Sequence, residues 1–156
     1  MEYLEYFNQQ KKIYDALLDF LDRNDSNDDY YKLIDIIKKV SFEVPSSISY
    51  IGDDAFRECS SLIEISIPSS VTEIGWNAFN GCSSLKKVSF EKPTSITSIS
   101  GFSFNGCSSL TEISIPSSVT KIGFRAFSKC VSLKQVSFDS PSNVTFIEES
   151  AFYKCH

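Results

Sequence analysis

The 156-residue sequence holds a single histidine, His156, a single tryptophan, and no methionine beyond the first residue. With its one imidazole in the last position, it has no means of assembling a Ser/His/Asp or Cys/His nucleophile system. No apolar run approaches membrane-spanning length, and the opening MEYLEYFNQQKK places acids first and lacks the uninterrupted apolar segment of a secretory signal. These absences predict a cytoplasmic chain with no membrane span. A polybasic block is missing too. Twenty acidic residues face 15 basic ones for a formal charge of −5, spread almost evenly, which argues against nucleic acid as a partner. The 6 glycines form no phosphate-cradling loop, and the 5 cysteines come with no CxxC spacing or companion histidine. No enzyme activity, cofactor or metal is therefore expected.

What the chain does have is repetition. Cys59, Cys82, Cys107, Cys130 and Cys155 are spaced 23, 25, 23 and 25 residues apart, and the same spacing holds for Ile51, Ile74, Ile99, Ile122 and Ile147 and for Phe56, Phe79, Phe104, Phe127 and Phe152. Three columns sharing one alternating interval define a solenoid with one short strand per turn. The two extra residues of each long unit fall just before a proline. Phe90-Glu91-Lys92-Pro93 and Phe138-Asp139-Ser140-Pro141 stand where the short units have Ile67-Pro68 and Ile115-Pro116. One corner of the coil is lengthened and the rest is left alone.

Rungs are expected to start near residues 37, 62, 85, 110 and 133, giving a solenoid over 37–156. Each begins Leu/Ile-x-x-Ile/Val-x-Ile/Phe, so alternation turns Ile65, Ile67, Val88, Phe90, Ile113, Ile115, Val136 and Phe138 inward. A proline then removes an amide and ends pairing. The segment from Asn77 to Cys82 and its equivalents should form a short helical or 3₁₀ turn with Ala78, Phe79 and Cys82 inside. Gly52, Gly75 and Gly123 mark the preceding bend, and because Ser100 and Glu148 hold that position elsewhere, a positive φ is not required there. The cysteine column reads as buried thiols, while disulfides between neighbouring rungs remain open on spacing alone.

Residues 1–22 have helical periodicity, with Leu4, Phe7, Tyr14, Leu17, Leu18 and Leu21 on one side, and a second helical stretch follows the polar run 24–29. Residues 1–36 are read as an N-terminal helical cap covering the first rung, since a solenoid end exposes strand edges and core side chains. No matching polar cap follows the last rung, which predicts end-to-end self-association through it.

The pattern Leu-x-x-Ile-x-Ile-Pro-x-x-Val-x-x-Ile-Gly-x-x-Ala-Phe-x-x-Cys, fullest in Leu62 to Cys82 and Leu110 to Cys130, closely resembles the BspA-like leucine-rich repeat proteins. The resemblance covers residues 37–156 and implies an α/β repeat fold, a leucine-rich repeat solenoid of about five rungs with a parallel sheet face. It also implies the activity class of surface antigens and adhesins, which is protein binding or attachment, and with it a cell-surface location.

In such a stack each outward position repeats at every rung. Ser41, Ser66, Ser89, Ser114 and Ser137 form one line, Lys39, Glu64, Lys87, Glu112 and Gln135 the next, and Lys38, Ile63, Lys86, Thr111 and Lys134 a third. Five lysines against two glutamates make this face about +3 on a chain of −5. One reading is structural, with alternating charge fixing register. The other is a hydroxyl-lined, mildly basic face for a protein or glycan partner. Trp76, Phe102 and Phe124 occupy turn positions that other rungs fill with polar residues, either as interface anchors or as covers for the turn beneath. The carboxylate pairs Asp53-Asp54 and Glu148-Glu149 read as solvated turn charges. Two functions follow from this pattern: a non-catalytic binding scaffold acting through the sheet face, or a structural segment of a longer repeat array serving spacing or self-assembly.

Overall fold

The computed structural model describes residues 39–40 and 48–155. Within them the chain winds as a parallel β-coil, with four turns starting at Leu62, Leu85, Leu110 and Leu133 and part of the turn before them. The expected cap over residues 1–36 lies outside the described residues.

Two strand columns run along the coil. On one side stand β1 (Lys39–Val40), β3 (Glu64–Ile67), β5 (Lys87–Phe90), β7 (Glu112–Ile115) and β9 (Gln135–Phe138). On the other stand β2 (Tyr50–Ile51), β4 (Glu73–Ile74), β6 (Ser98–Ile99), β8 (Lys121–Ile122) and β10 (Phe146–Ile147). Every pairing is parallel and follows the repeat: Glu64 opposes Lys87, Ser66 opposes Ser89, and Ile51, Ile74, Ile99, Ile122 and Ile147 line up one above another. Alternation along β3 buries Ile65 and Ile67 and turns Glu64 and Ser66 outward, as a period of two requires.

The core is one continuous stack. Leu62, Leu85 and Leu110 are buried beside Ile74, Ile99 and Ile122. The rings of Phe56, Phe79, Phe104, Phe127 and Phe152 lie face to face with successive centroids 5.1, 5.1, 5.2 and 5.3 Å apart. That interval is close to the strand spacing of a sheet, so each ring sits directly over the one below. All five cysteines are free thiols, which removes the disulfide alternative. Cys82, Cys107, Cys130 and Cys155 donate to the carbonyls of Phe56, Phe79, Phe104 and Phe127 at 3.0 to 3.3 Å. Each thiol therefore behaves as a small core residue with its weak donor satisfied.

The corner after the second strand differs from the expected helical or 3₁₀ turn. No helix occurs among the described residues, and residues 76–81 form turns in which alternate amides go separate ways. Ala78, Asn80 and Cys82 donate within the turn to Gly75, Asn77 and Phe79, whereas Asn77, Phe79 and Gly81 donate to Gly101, Ser103 and Asn105 of the next rung. Two residues per turn with positive φ produce this alternation, as at Asn77 (57°) and Gly81 (79°) or Arg125 (53°) and Lys129 (60°). A run of helix would have closed every amide locally; the interruption lets the corner stack as the sheets do.

Gly75 and Gly123 are small because of close approach, not φ. A Cβ on Gly75 would lie 2.5 Å from both Asp53 Oδ1 and Tyr50 Oη, and one on Gly123 would lie 2.7 Å from the Gly101 nitrogen.

The two sides of the coil are not equally continuous. The second column forms one five-stranded sheet, but the first is divided into β1-β3-β5 and β7-β9, with no ladder between β5 and β7.

Candidate functional site

The sheet face carries the residues expected on it. Lys86, Lys87, Glu112, Ser114, Lys134 and Gln135 are exposed, and Glu64, Ser66, Ser89 and Ser137 are half-buried. Lys39 pairs with Glu64 in the backbone ladder, while Lys38 and Ser41 lie outside the described residues. The expected alternation of charge holds across β3 and β5, where Glu64 faces Lys87. It fails at the next step, because Lys87 and Glu112 flank the division between β5 and β7 and are not ladder partners.

A shallow cavity of about 240 Å³ opens over that division, lined by Lys86, Lys87, Val88, Glu112, Ser114 and Gln135 among others. The serine hydroxyls record the same break. Ser89 and Ser137 donate back to the Ile65 and Ile113 carbonyls at 3.4 Å, but Ser114 turns the other way and donates to Asp139 Oδ1 at 2.9 Å. Asp139 also holds Lys92, with Nζ 3.0 Å from Oδ2. The lysine, and secondarily the Ser114 hydroxyl, draw the carboxyl below its usual range. Charged residues inserted in the long corners were the sequence signal for this clip, since Glu91-Lys92 and Asp139 occur only there.

The aromatic residues gather on another side, beyond β4, β6 and β8. Trp76 is 46% exposed, and Phe102 and Phe124 are half-buried. Trp76 and Phe124 share a repeat position, whereas Phe102 stands one residue later because Gly101 holds that position in its rung. The three rings still form a strip, with centroids 5.5 and 5.4 Å apart. The guanidinium of Arg125 lies 5.0 Å from the Phe124 centroid and 6.0 Å from that of Phe102.

Two of the carboxylates expected to be merely solvated support this strip from neighbouring rungs. Asp53 Oδ1 accepts from the Trp76 amide at 2.7 Å and from the Tyr50 hydroxyl at 2.6 Å. Burial, followed by the Asp53 contact, pushes the Tyr50 hydroxyl up to about 12. Glu148 Oε2 accepts from the Phe124 amide at 2.8 Å, and its Oε1 pairs with Lys121 Nζ at 2.6 Å. The lysine holds that carboxyl below the ordinary carboxylate range. The sequence signal was an acid in the turn of the rung before or after each aromatic. A cavity of about 150 Å³ beside Trp76 is lined by Glu73, Ser98, Ser100, Lys121 and Glu148.

Among the described residues no group of three His, Cys, Asp or Glu side chains could hold a metal ion, and no helix is long and apolar enough to cross a membrane. The arrangement offers stacked rows of polar side chains, shallow cavities and an aromatic strip, the equipment of a repeat-built recognition scaffold.

Comparison with known proteins agrees. The BspA type leucine rich repeat region matches residues 30–156, in 6 copies. The chain belongs to this family. Among solved structures, it is similar to a leucine-rich repeat protein of T. pallidum, with 34% identity and a TM-score of 0.68 over 76% of this chain and 55% of that one. A leucine-rich repeat protein of Bacteroides ovatus is 32% identical, with a TM-score of 0.58 over 76% of this chain and 31% of its own. The pneumococcal vaccine antigen PcpA shares the fold at 23% identity, with a TM-score of 0.54 over 76% of this chain and 32% of that one. The chain thus spans about half the length of the T. pallidum protein and about a third of the other two. No curated protein sequence matches it. Family membership supports a repeat-based binding scaffold in general terms.

Proposed function

We propose that this solenoid is a non-catalytic, adhesin-like binding scaffold that takes an acidic partner, protein or glycan, on the face of β3, β5, β7 and β9, at the cell surface. The observation that carries the reading is the cavity over the division between β5 and β7, where Lys86 and Lys87 stand exposed beside the Ser114 and Ser137 hydroxyls and outnumber Glu112. A lysine-rich patch on a chain of net charge −5 steers an acidic surface to that place and keeps it from the remainder of the molecule. Reversing Lys86, Lys87 and Lys134 to Glu tests this, with poly-glutamate and a heparin fragment as defined probes. Binding should fall by about tenfold or more, the equivalent of about 1.4 kcal/mol. Unchanged binding would remove the sheet face as the site.

A second reading is favoured by the last rung. Phe138, Phe146 and Ile147 are 41, 56 and 47% exposed, although Ile122, the counterpart of Ile147 one rung earlier, is fully buried. This apolar layer fits a further repeat or a second copy, making the chain a segment of a longer array. Light scattering across a concentration series checks it: particle mass should grow with concentration, and a constant monomer mass counts against self-assembly.

A further inference from the structure

The aromatic strip beyond β4, β6 and β8 is separate from the proposed sheet-face site and has different chemistry. We propose that Trp76, with the cavity beside it, binds a neutral pyranose sugar of an oligosaccharide.

Trp76 is held in place yet open. Its amide is tied to Asp53 Oδ1, its ring tilts 55° against Phe102, and it lies over Gly101 so closely that a Cβ there would come within 2.5 Å of the ring. A fixed, half-exposed indole presents a flat apolar face at little further entropic cost on binding.

Phe102 supplies a second observation. Its φ is 55°, in the left-handed region, where a bulky side chain is disfavoured. Among the described residues the other non-glycine positions with positive φ are Asp54, Glu58, Asn77, Arg125, Lys129, Ser150 and Lys154, all polar. Only this rung places an aromatic there, and its ring closes the gap that Gly101 leaves between Trp76 and Phe124. The corner imposes this φ in each rung, so what is particular here is a bulky ring kept at a disfavoured position where it leaves the aromatic strip unbroken, which points to use of the strip.

The cavity names the ligand class. Its volume of about 150 Å³ is the share of about five water molecules, the scale of one small polar ring. Carboxylates, hydroxyls and an ammonium line it. Glu73 Oε1 accepts from Ser100 Oγ at 3.0 Å, Lys121 is paired to Glu148, and Ser98 stands between β4 and β8. Donors and acceptors next to an aromatic platform match a polyhydroxylated ring, whose C–H face stacks while its hydroxyls reach the polar wall. Charge sets the sign: within the lining Glu73 and Glu148 outnumber Lys121, and of the charges just outside it Asp53 is bonded to the Trp76 amide and Arg125 sits over Phe124. The site repels uronates and sialylated sugars and admits neutral ones.

Trp76 is the only tryptophan, so its emission reports on this site alone. The intact chain is titrated with cellotriose, chitotriose, sialyllactose and a lysine-rich peptide. A saturable change in emission is expected with at least one neutral trisaccharide and none with sialyllactose. Saturation-transfer NMR should detect magnetisation passing to that sugar from the unaltered chain and none from Trp76→Ala, with circular dichroism checking that the variant is folded. Glu73→Gln should weaken binding several-fold, and the triple lysine reversal on the sheet face should leave it intact, so failure here is distinct from failure of the sheet-face reading. The proposal is overturned by silence with both neutral sugars, by transfer that survives Trp76→Ala, or by a response to the peptide alone.

Discussion

Lys92 and Asp139 join two rungs that are not neighbours: Nζ and Oδ2 meet at 3.0 Å above the intervening rung, whose Ser114 donates to the other carboxylate oxygen. The clip ties the corner after β5 to the corner after β9, spanning the place where β5 and β7 lack a ladder.

Asp139→Asn should cost less than about 1 kcal/mol at neutral pH, because Lys92 is largely exposed and the pair is screened. The sign of the pH dependence follows from a depressed carboxyl pKa. The stabilisation is complete above the unfolded value near 4 and fades as pH falls through the lower folded value. Urea unfolding of both proteins at pH 7 and pH 3 checks this; the difference should shrink at the acid end and in high salt.

Two glycines one rung apart should respond differently to alanine. At Gly123 the new Cβ meets backbone atoms of Gly101 and Ser100 at 2.7 and 2.8 Å, which cannot swing aside. A loss of about 1–3 kcal/mol is expected. At Gly101 it meets the indole of Trp76, which the new methyl would push off Phe102 and out into solvent. Stability should change little while tryptophan emission shifts to the red. Thermal melts paired with emission spectra separate the two outcomes.

Phe104 lies between Phe79 and Phe127 and is fully buried. Phe104→Ala should cost about 3–5 kcal/mol and lower Tm on the order of 10 °C. Phe152, stacked on one side and only partly buried, should cost less. Denaturant titrations of the two variants give the comparison.

Burial pushes up the thiols of Cys107, Cys130 and Cys155, and the neighbouring Cys59 contact followed by burial does so for Cys82. Thiolate is the reactive form. Labelling with a thiol reagent at neutral pH should therefore be slow in the folded chain, with Cys155 first because it is the least buried, and all five should react in denaturant. Mass spectrometry after timed labelling orders them.

The columns of Ile, Phe, Leu and Cys make the coil legible in the sequence, because equal side chains must stack when the interval between them is constant. The outward lines of Lys, Glu and Ser were legible for the same reason. The corner geometry was not. Left-handed φ at Glu58, Arg125 and Lys129 is imposed by amides reaching the next rung, and residue type hardly records it. The division between β5 and β7 leaves no mark in the residue columns, which keep their interval through it, and the register shared by Trp76 and Phe124 conceals that Phe102 enters the strip from a neighbouring position.

That one-sided division has a mechanical meaning. From Tyr50 to Ile147 the second sheet is hydrogen-bonded without interruption, so a pull along the axis is carried from strand to strand by backbone ladders. Opposite it, the load at β5 and β7 passes through side chains and the Lys92 clip. Under tension the molecule should yield first at that seam, bending about its intact wall before any turn unwinds.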